Sequence, residues 1–400
     1  MYGAQLIEAL QRAARVKPAE LRSAQTGETH VPTQAGELSF FGAGGERMLA
    51  AGCDVVVDAR DLAVVGITEI FSHLPKILGL YKKLIRAADE RGPDLSVVID
   101  SPAFNWRVAR QMRKRGIPVV YYVCPQFWAW RQGRVKLLRK YVNKALVIFP
   151  FEEKFYRDRG VDATFVGHPL AEMPMPEITR EEYAASAPAS QNRDCWGPRS
   201  RHALDPAKPW ITLMPGSRRK EVRMNLPAML EAATRLGTAY EFLLPVARTL
   251  DPGFFQDLIK ASSQKSAIHL VSEAPPALRH SRAGIIASGT ATVEAALMET
   301  PFVMVYRVSP LTYALGKPRL KVHHYAMANL IAGEEVVPEL VQRRFTAENI
   351  VAEIGKIIPG GVLRERMIRG LKLVRERLRK PDGGRQPADR AAEVILEMLR

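Results

Sequence analysis

Membrane-spanning runs are missing from this 400-residue chain. No apolar stretch approaches the roughly 20 residues that cross a bilayer as a helix. A secretory leader is not expected either, because Glu8 and Arg12 interrupt the first apolar stretch. Cysteine is scarce: Cys53, Cys124 and Cys195 lie far apart and are odd in number. That pattern excludes a disulfide framework and a metal-spaced cluster, and it points to a reducing compartment. Acidic residues are short as well, 42 against 58 Lys and Arg, leaving a net charge of +16. The excess favours an anionic partner, whether nucleic acid, an anionic membrane face or a phosphorylated substrate. The basic residues are spread along the chain without a nucleic-acid-binding signature, so nucleic acid is not the expected partner. Internal repeats and low-complexity tracts are absent. What remains is ordinary globular composition, 47% hydrophobic and 25% charged, in a length that predicts two domains rather than one core.

Apolar runs alternate with helical patterns through both halves. Strands are expected at 54–57, 95–99, 119–123, 145–149 and 163–166, then at 211–214, 241–244, 268–271, 284–287 and 302–306. Alternation of this kind predicts α/β architecture with parallel sheets covered by helices. Between the halves, 172–208 is rich in Pro, Ser, Ala, Glu and Arg and reads as a linker with a surface insertion. The expected organisation is therefore a domain over 1–171, the linker over 172–208, a second domain over 209–375, and a C-terminal helix over 376–400 that crosses back to the first. A ligand-binding cleft is expected between two such halves. The chain opens on an amphipathic helix predicted over 5–14, where a domain of this class normally starts with a strand and a glycine-rich turn.

Two loops carry most of the chemistry. Pro215-Gly216-Ser217-Arg218 follows the apolar run 211–214, and Ser288-Gly289-Thr290-Ala291-Thr292 follows 284–287, with Glu294 just beyond. Each reads as buried strand, small-residue turn and helix start, which aims backbone N–H groups and a helix dipole at a phosphate. Arg218, Arg219, Lys220 and Arg223 crowd one helix start, where the dipole disfavours cations, and a bound anion would offset that cost. A nucleoside diphosphate fits: arginine for phosphate oxygens, Glu294 for ribose hydroxyls. Ordinary capping and a solvated helix face are the competing readings.

Asp100 ends the apolar run 95–99, at the strand edge that faces ligands in open α/β sheets. It reads either as a general base for a hydroxyl nucleophile or as a cap for the following helix, with Asn105 helping. Trp128 and Trp130 beside Arg131 read either as the mouth for a sugar or acyl chain or as interface packing. His168, in Gly167-His168-Pro169, reads either as a group that polarises a substrate hydroxyl or as a hinge element. Ile67, Ile70, Phe71, Leu74, Ile77 and Leu78 recur near helical spacing among lysines, which suits a membrane surface and a core face equally.

In order and with compatible spacing over about residues 2–345, these segments resemble the lipid A disaccharide synthases, glycosyltransferases of the GT-B type. The resemblance is carried by Gly42-Ala43-Gly44-Gly45-Glu46-Arg47-Met48, Ile99-Asp100-Ser101-Pro102-Ala103-Phe104-Asn105, Trp128-Ala129-Trp130-Arg131, Pro150-Phe151-Glu152 and Phe165-Val166-Gly167-His168-Pro169. The second half adds the two loops, Tyr306-Arg307, Asn329-Leu330-Ile331-Ala332-Gly333 and Pro338-Glu339-Leu340-Val341-Gln342. It implies two Rossmann-like domains and an inverting transfer from UDP-2,3-diacylglucosamine to 2,3-diacylglucosamine 1-phosphate (lipid X), forming a β(1→6) bond and releasing UDP. Asp100 would be the base, and Gly216, Ser217, Arg218 and residues 288–292 would hold the diphosphate in place of a metal, with no cofactor. Glu294 would take the ribose, Tyr306 and Arg307 would lie near the nucleotide, and Asn329, Glu339 and Gln342 would reach the diphosphate and donor sugar. Trp128, Trp130, Arg131 and His168 would serve the acceptor side. The stripe from Ile67 to Leu78 would dock on the anionic inner membrane from the cytoplasm. Three departures are visible: the opening strand and its glycine loop, Ala328 where a proline usually precedes Asn329, and Ala103 where a polar residue is frequent. Another GT-B enzyme of UDP-GlcNAc and a non-catalytic UDP-sugar binder are the alternatives.

Overall fold

A computed structural model describes residues 2–23, 38–62, 67–186, 204–247, 249–262, 267–379 and 385–399. It divides into two compact units, residues 1–172 with 380–400, and residues 173–379. No helix among the described residues is long and apolar enough to cross a membrane.

In the first unit, β1 (Phe40–Gly44) pairs in parallel with β2 (Cys53–Asp58). A separate parallel sheet runs in chain order through β3 (Ser96–Ile99), β4 (Val119–Tyr122), β5 (Lys144–Val147) and β6 (Ala163–Phe165). Val57 of β2 shares one core cluster with Val98, Tyr121 and Val147, so both sheets pack over a common interior. β4 is buried along its length, as expected of a parallel strand covered on both faces, and its sequence is accordingly an unbroken apolar run. Helix Tyr2–Ser23 packs against helix Pro387–Met398, pinned by Arg12–Asp389 at 2.7 Å. The C-terminal helix thus belongs to the unit in which the chain starts.

The second unit holds β7 (Trp210–Met214), β8 (Glu241–Pro245), β9 (Ile268–Val271), β10 (Ala283–Ala287), β11 (Phe302–Tyr306) and β12 (Glu339–Val341). All pairings are parallel and the order is β12-β11-β10-β7-β8-β9. The chain steps outward from β7 to β9, then returns to the other side of β7 with β10. The switch in winding direction therefore lies between β7 and β10, with Met214 opposite Ile286. Outside the carboxyl ends of such a strand pair, helices leave in opposite directions and open a crevice.

Two expectations change. The stretch 172–208 is not all linker, although 187–203 lies outside the described residues. Helix Arg180–Ser186 packs Tyr183 into a core with Leu204, Trp210 and Val271, and Arg180 stacks 4.0 Å from the Trp210 ring. Apolar burial outweighs the proline-rich composition there, because one aromatic side chain contributes about 2–3 kcal/mol when buried. Also, β1 and β12 are strands that the sequence does not announce. Two of the five residues of β1 are glycine, and β12 is three residues long, so neither shows a strand pattern.

Candidate functional site

The two small-residue loops follow the two strands that flank the switch point. After β7, Gly216 has φ +124°, and a Cβ there would fall 2.8 Å from the Cβ of Glu221, so the turn requires glycine on both counts. Asn225, 2% exposed, donates to the Pro215 carbonyl at 2.8 Å and fixes the loop from beneath. Arg218 is the extended N-cap of helix Arg219–Leu236, and its side chain is 74% exposed. Glu221 already supplies an anion at this helix start: one carboxylate oxygen accepts from the Ser217 N–H at 3.2 Å, the other from Arg218 at 2.7 Å. Arg219 and Arg223 instead sit over the Phe254 ring, at 4.9 and 5.5 Å.

After β10, Gly289 has φ +129° and caps helix Thr290–Leu297. Gly289 and Thr290 are exposed and Ala291 half-buried, and first-turn N–H groups of a helix lack intrahelical partners. The Ser288 hydroxyl donates to the Tyr325 carbonyl at 2.8 Å. Thr292 is fully buried, donates its hydroxyl to the Gly289 carbonyl and accepts from the Met327 N–H, so its side chain braces the loop. Burial pushes the Glu294 carboxyl up, and no hydrogen bond or ion pair joins that carboxyl to the described residues.

Tyr306, at the end of β11, reports the same neighbourhood. Its phenol is raised by burial and by Glu221 and is lowered by Arg218, which brings it beside the 215–218 loop. The Arg307 guanidinium donates to the Phe345 carbonyl and stacks 4.6 Å from that ring. It lines an open cavity of about 340 Å³ with Pro227, Glu231 and Glu348. Asn329 is fully buried, and its amide donates to the Val337 carbonyl and Glu339 and accepts from the Val336 and Val337 N–H groups, all at 2.9 Å. With those positions used, Asn329 ties the chain together at this point. Glu339 spends its carboxylate on the Tyr325 and Ala326 N–H groups at 2.9–3.0 Å, in addition to Asn329. Gln342 follows β12, its backbone is left-handed at φ +54°, and its Nε2 is buried without a hydrogen-bond partner among the described residues.

In the first unit Asp100 lies at the carboxyl end of β3, exposed to solvent. The capping alternative does not hold, because Ser101 is the N-cap of helix Pro102–Lys114 and no side chain caps it. Asn105 does act locally, donating to the carbonyls of Ile99 and Asp100 at 2.9 and 2.7 Å.

The acceptor-side residues separate into two groups. Trp130 is 44% exposed, with the Arg131 guanidinium 3.9 Å above its ring. Trp128 is 5% exposed and donates to Glu152 at 2.8 Å, so it is a core residue and not part of an open mouth. His168 is likewise buried, 2% exposed, with Nδ1 accepting from the Leu170 N–H at 3.2 Å. Burial pulls its imidazole down to about 4, so it is a neutral packing element at pH 7. Glu152 carries no role in the sequence reading. It is 1% exposed, burial pushes its carboxyl up to about 7, and it accepts from Trp128 and the Phe149 N–H. Its sequence signal is Pro150 at a helix start with an acid two residues on, which supplies the glutamate half of a capping box by reaching back to the N-cap N–H.

Of the amphipathic stripe, helix Ile67–Arg91 carries all six positions. The side chains of Ile67, Ile70, Phe71 and Leu74 lie outside the described residues. Leu78 is 44% exposed and Ile77 is half-buried.

A family profile described as lipid-A-disaccharide synthetase matches residues 9–361. Among curated relatives, the lipid-A-disaccharide synthase of Koribacter versatilis (strain Ellin345) is 48% identical over 400 residues, covering 100% of this chain and 96% of that protein. That of Acidobacterium capsulatum is 48% identical over 376 residues, covering 91% and 90%. Among solved structures, the glycotransferase of kitacinnamycin superposes with a TM-score of 0.56 at 14% identity, covering 100% of this chain and 97% of that one. Its likeness concerns the fold, which is GT-B: two Rossmann-like domains in one chain.

Proposed function

The chain belongs to the lipid-A-disaccharide synthetase family, and from that membership we propose how its residues divide the work. It is a glycosyltransferase of lipid A disaccharide synthesis. Its donor is UDP-2,3-diacylglucosamine and its acceptor is 2,3-diacylglucosamine 1-phosphate. In a single displacement, the acceptor's primary hydroxyl oxygen bonds to the donor's anomeric carbon as the bond from that carbon to the β-phosphate oxygen breaks. Configuration inverts, the hydroxyl proton passes to the Asp100 carboxylate, and UDP leaves with the bonding pair.

The observation that carries this reading is the placement of both small-residue loops at the switch point of the six-stranded sheet. There, Arg218 and the N–H groups of Gly289, Thr290 and Ala291 meet the charge growing on the departing diphosphate. Glu294 takes the ribose hydroxyls, a reading supported by its half-buried carboxyl having no partner among the described residues. The unpaired Gln342 amide serves the donor sugar, and Tyr306 borders the phosphates. Asn329, Glu339 and Thr292 hold these loops in shape. On the acceptor side, Trp130 and Arg131 offer the open surface. Because both substrates carry acyl chains, the helix bearing Leu78, in a chain of net charge +16, is read as a peripheral contact with the anionic inner membrane from the cytoplasm.

Asp100→Asn tests the assignment. Expected is loss of turnover by about 10²–10⁴-fold with UDP affinity unchanged, the contribution of a positioned base. Turnover near that of the unmodified protein would end the assignment. Sedimentation with anionic vesicles, with and without Leu78→Asp, tests the membrane contact.

A further inference from the structure

The ends of β3 and β4 carry a strain that the reaction scheme above does not use. Asp100 (φ +48°), Ser101 (φ +37°) and Val123 (φ +57°) are all left-handed without being glycine. They are neighbours: Asp100 donates its N–H to the Tyr122 carbonyl at 3.1 Å, and Val123 continues to the Leu146 carbonyl at 3.0 Å. Left-handed backbone costs an ordinary residue about 1–2 kcal/mol, more for a β-branched one, and persists only where its surroundings over-determine it.

Here two buried side chains do so. Tyr121, fully buried on β4, donates its hydroxyl to the Asp100 carbonyl at 2.7 Å. Asn105, 9% exposed, donates to the same carbonyl and to that of Ile99. The Asn105 amide orientation is fixed, because both of its partners are carbonyl acceptors. Burial pushes the Tyr121 phenol up, so the hydroxyl remains a donor throughout the working range of pH. The Asp100 carbonyl is thereby held from within while its carboxylate stands in solvent.

We propose that Tyr121 and Asn105 are positioning residues for the reaction: their shared grip on the Asp100 carbonyl fixes the left-handed turn that presents the Asp100 carboxylate to the acceptor hydroxyl. The proposal rests on Asp100 as the base. The grip acts on direction and reach, which a proton transfer within hydrogen-bond distance demands. It does not act on substrate affinity.

The experiment is steady-state UDP release with both acylated substrates for Tyr121→Phe and Asn105→Leu, each alone and combined with Asp100→Asn. Both substitutions keep volume and remove the donors. Either should lower kcat roughly 10- to 100-fold with both KM values within about twofold, the size expected when a reacting group is misplaced by about 1 Å. Either should add nothing to the residual rate of Asp100→Asn, because residues acting through one group are not additive. Wild-type kcat in both single variants, with Asp100→Asn inactive, overturns the positioning role alone. So does an equal loss in the Asp100→Asn background, or a loss that falls on KM. High activity in Asp100→Asn overturns the base assignment and the positioning role with it. If one variant is poorly folded by thermal melting, the other gives the same readout.

Discussion

The two units end their central strands by opposite means. In the second unit the turns after β7 and β10 are made by Gly216 and Gly289, whose positive φ values cost little. Charge there is left in solvent, in the Arg218–Glu221 pair, with side chains 74% and 36% exposed. In the first unit the turns after β3 and β4 force Asp100, Ser101 and Val123 into the same backbone region, and after β5 a carboxyl group is taken inside, where Glu152 is 1% exposed. A loop that offers N–H groups needs backbone freedom and no side chain in the way. A loop that must aim one carboxylate needs rigidity, and the first unit obtains it from buried hydrogen bonds that offset strain.

The largest predicted effect breaks the comparison at the buried charge. The Glu152 carboxyl is raised by burial from 4.5 to about 7. Its contribution to stability is therefore complete below about pH 4.5 and is lost as pH rises to about 7, where the folded protein must ionise it as well. His168 runs the other way: lowered by burial from 6.5 to about 4, its contribution is present above 6.5 and is lost as pH falls through that window. The two slopes oppose each other between about pH 4.5 and 6.5. Glu152→Gln removes one of them. Its stability relative to the parent should improve between pH 4.5 and 7 by on the order of 3 kcal/mol, because each tenfold change in proton affinity on folding corresponds to about 1.4 kcal/mol. Urea unfolding of both proteins across that range checks it. A pH-independent difference would mean that Glu152 titrates alike in the folded and unfolded chain.

The sequence shows the strands best where burial makes them continuous. β4, β7, β10 and β11 are largely apolar runs, and their boundaries in the structure fall within one residue of those expected. The loops at 215–218 and 288–292 could be read because a strand, a small-residue turn and a helix start are all local features. Three kinds of feature could not. β1 and β12 are ordered by their neighbours and not by their own residues. Asn329 reads from sequence as reaching for a ligand, but its partners Val336, Val337 and Glu339 arrive through a return of the chain that no spacing announces. Tyr121 meets Asp100 across 21 residues, and nothing in a run of four apolar residues marks one hydroxyl as a partner for a carbonyl on the adjacent strand. The resemblance named Asp100, whereas the means of holding it came only from the packed structure.

Arg218→Ala sharpens the other side of the comparison. A hydrogen bond to a charged group contributes about 1.5–3 kcal/mol, so UDP affinity by calorimetry should fall roughly 10- to 100-fold. The melting temperature should stay put, because an exposed pair such as Arg218–Glu221 contributes about 0–1 kcal/mol. Unchanged affinity would remove Arg218 from the diphosphate site. A melting temperature lowered by many degrees would mean that the second unit depends on this loop for its fold as well.

The smallest effect is the most direct test of the contrast in backbone strain, and it takes two substitutions of opposite kind. Ser101→Gly replaces an exposed residue at φ +37° whose side chain makes no capping hydrogen bond. Removing the left-handed penalty of about 1–2 kcal/mol outweighs the glycine entropy cost of about 0.5–1 kcal/mol. Stability should therefore rise by up to about 1.5 kcal/mol, with kcat falling a few-fold as the turn around Asp100 loosens. Gly216→Ala does the reverse. It adds a Cβ at φ +124°, 2.8 Å from Glu221, and should cost stability and UDP affinity together. If Ser101→Gly destabilises as glycine does in an ordinary loop, the first unit stores no strain at this turn, and the difference between the two strand ends is one of sequence alone.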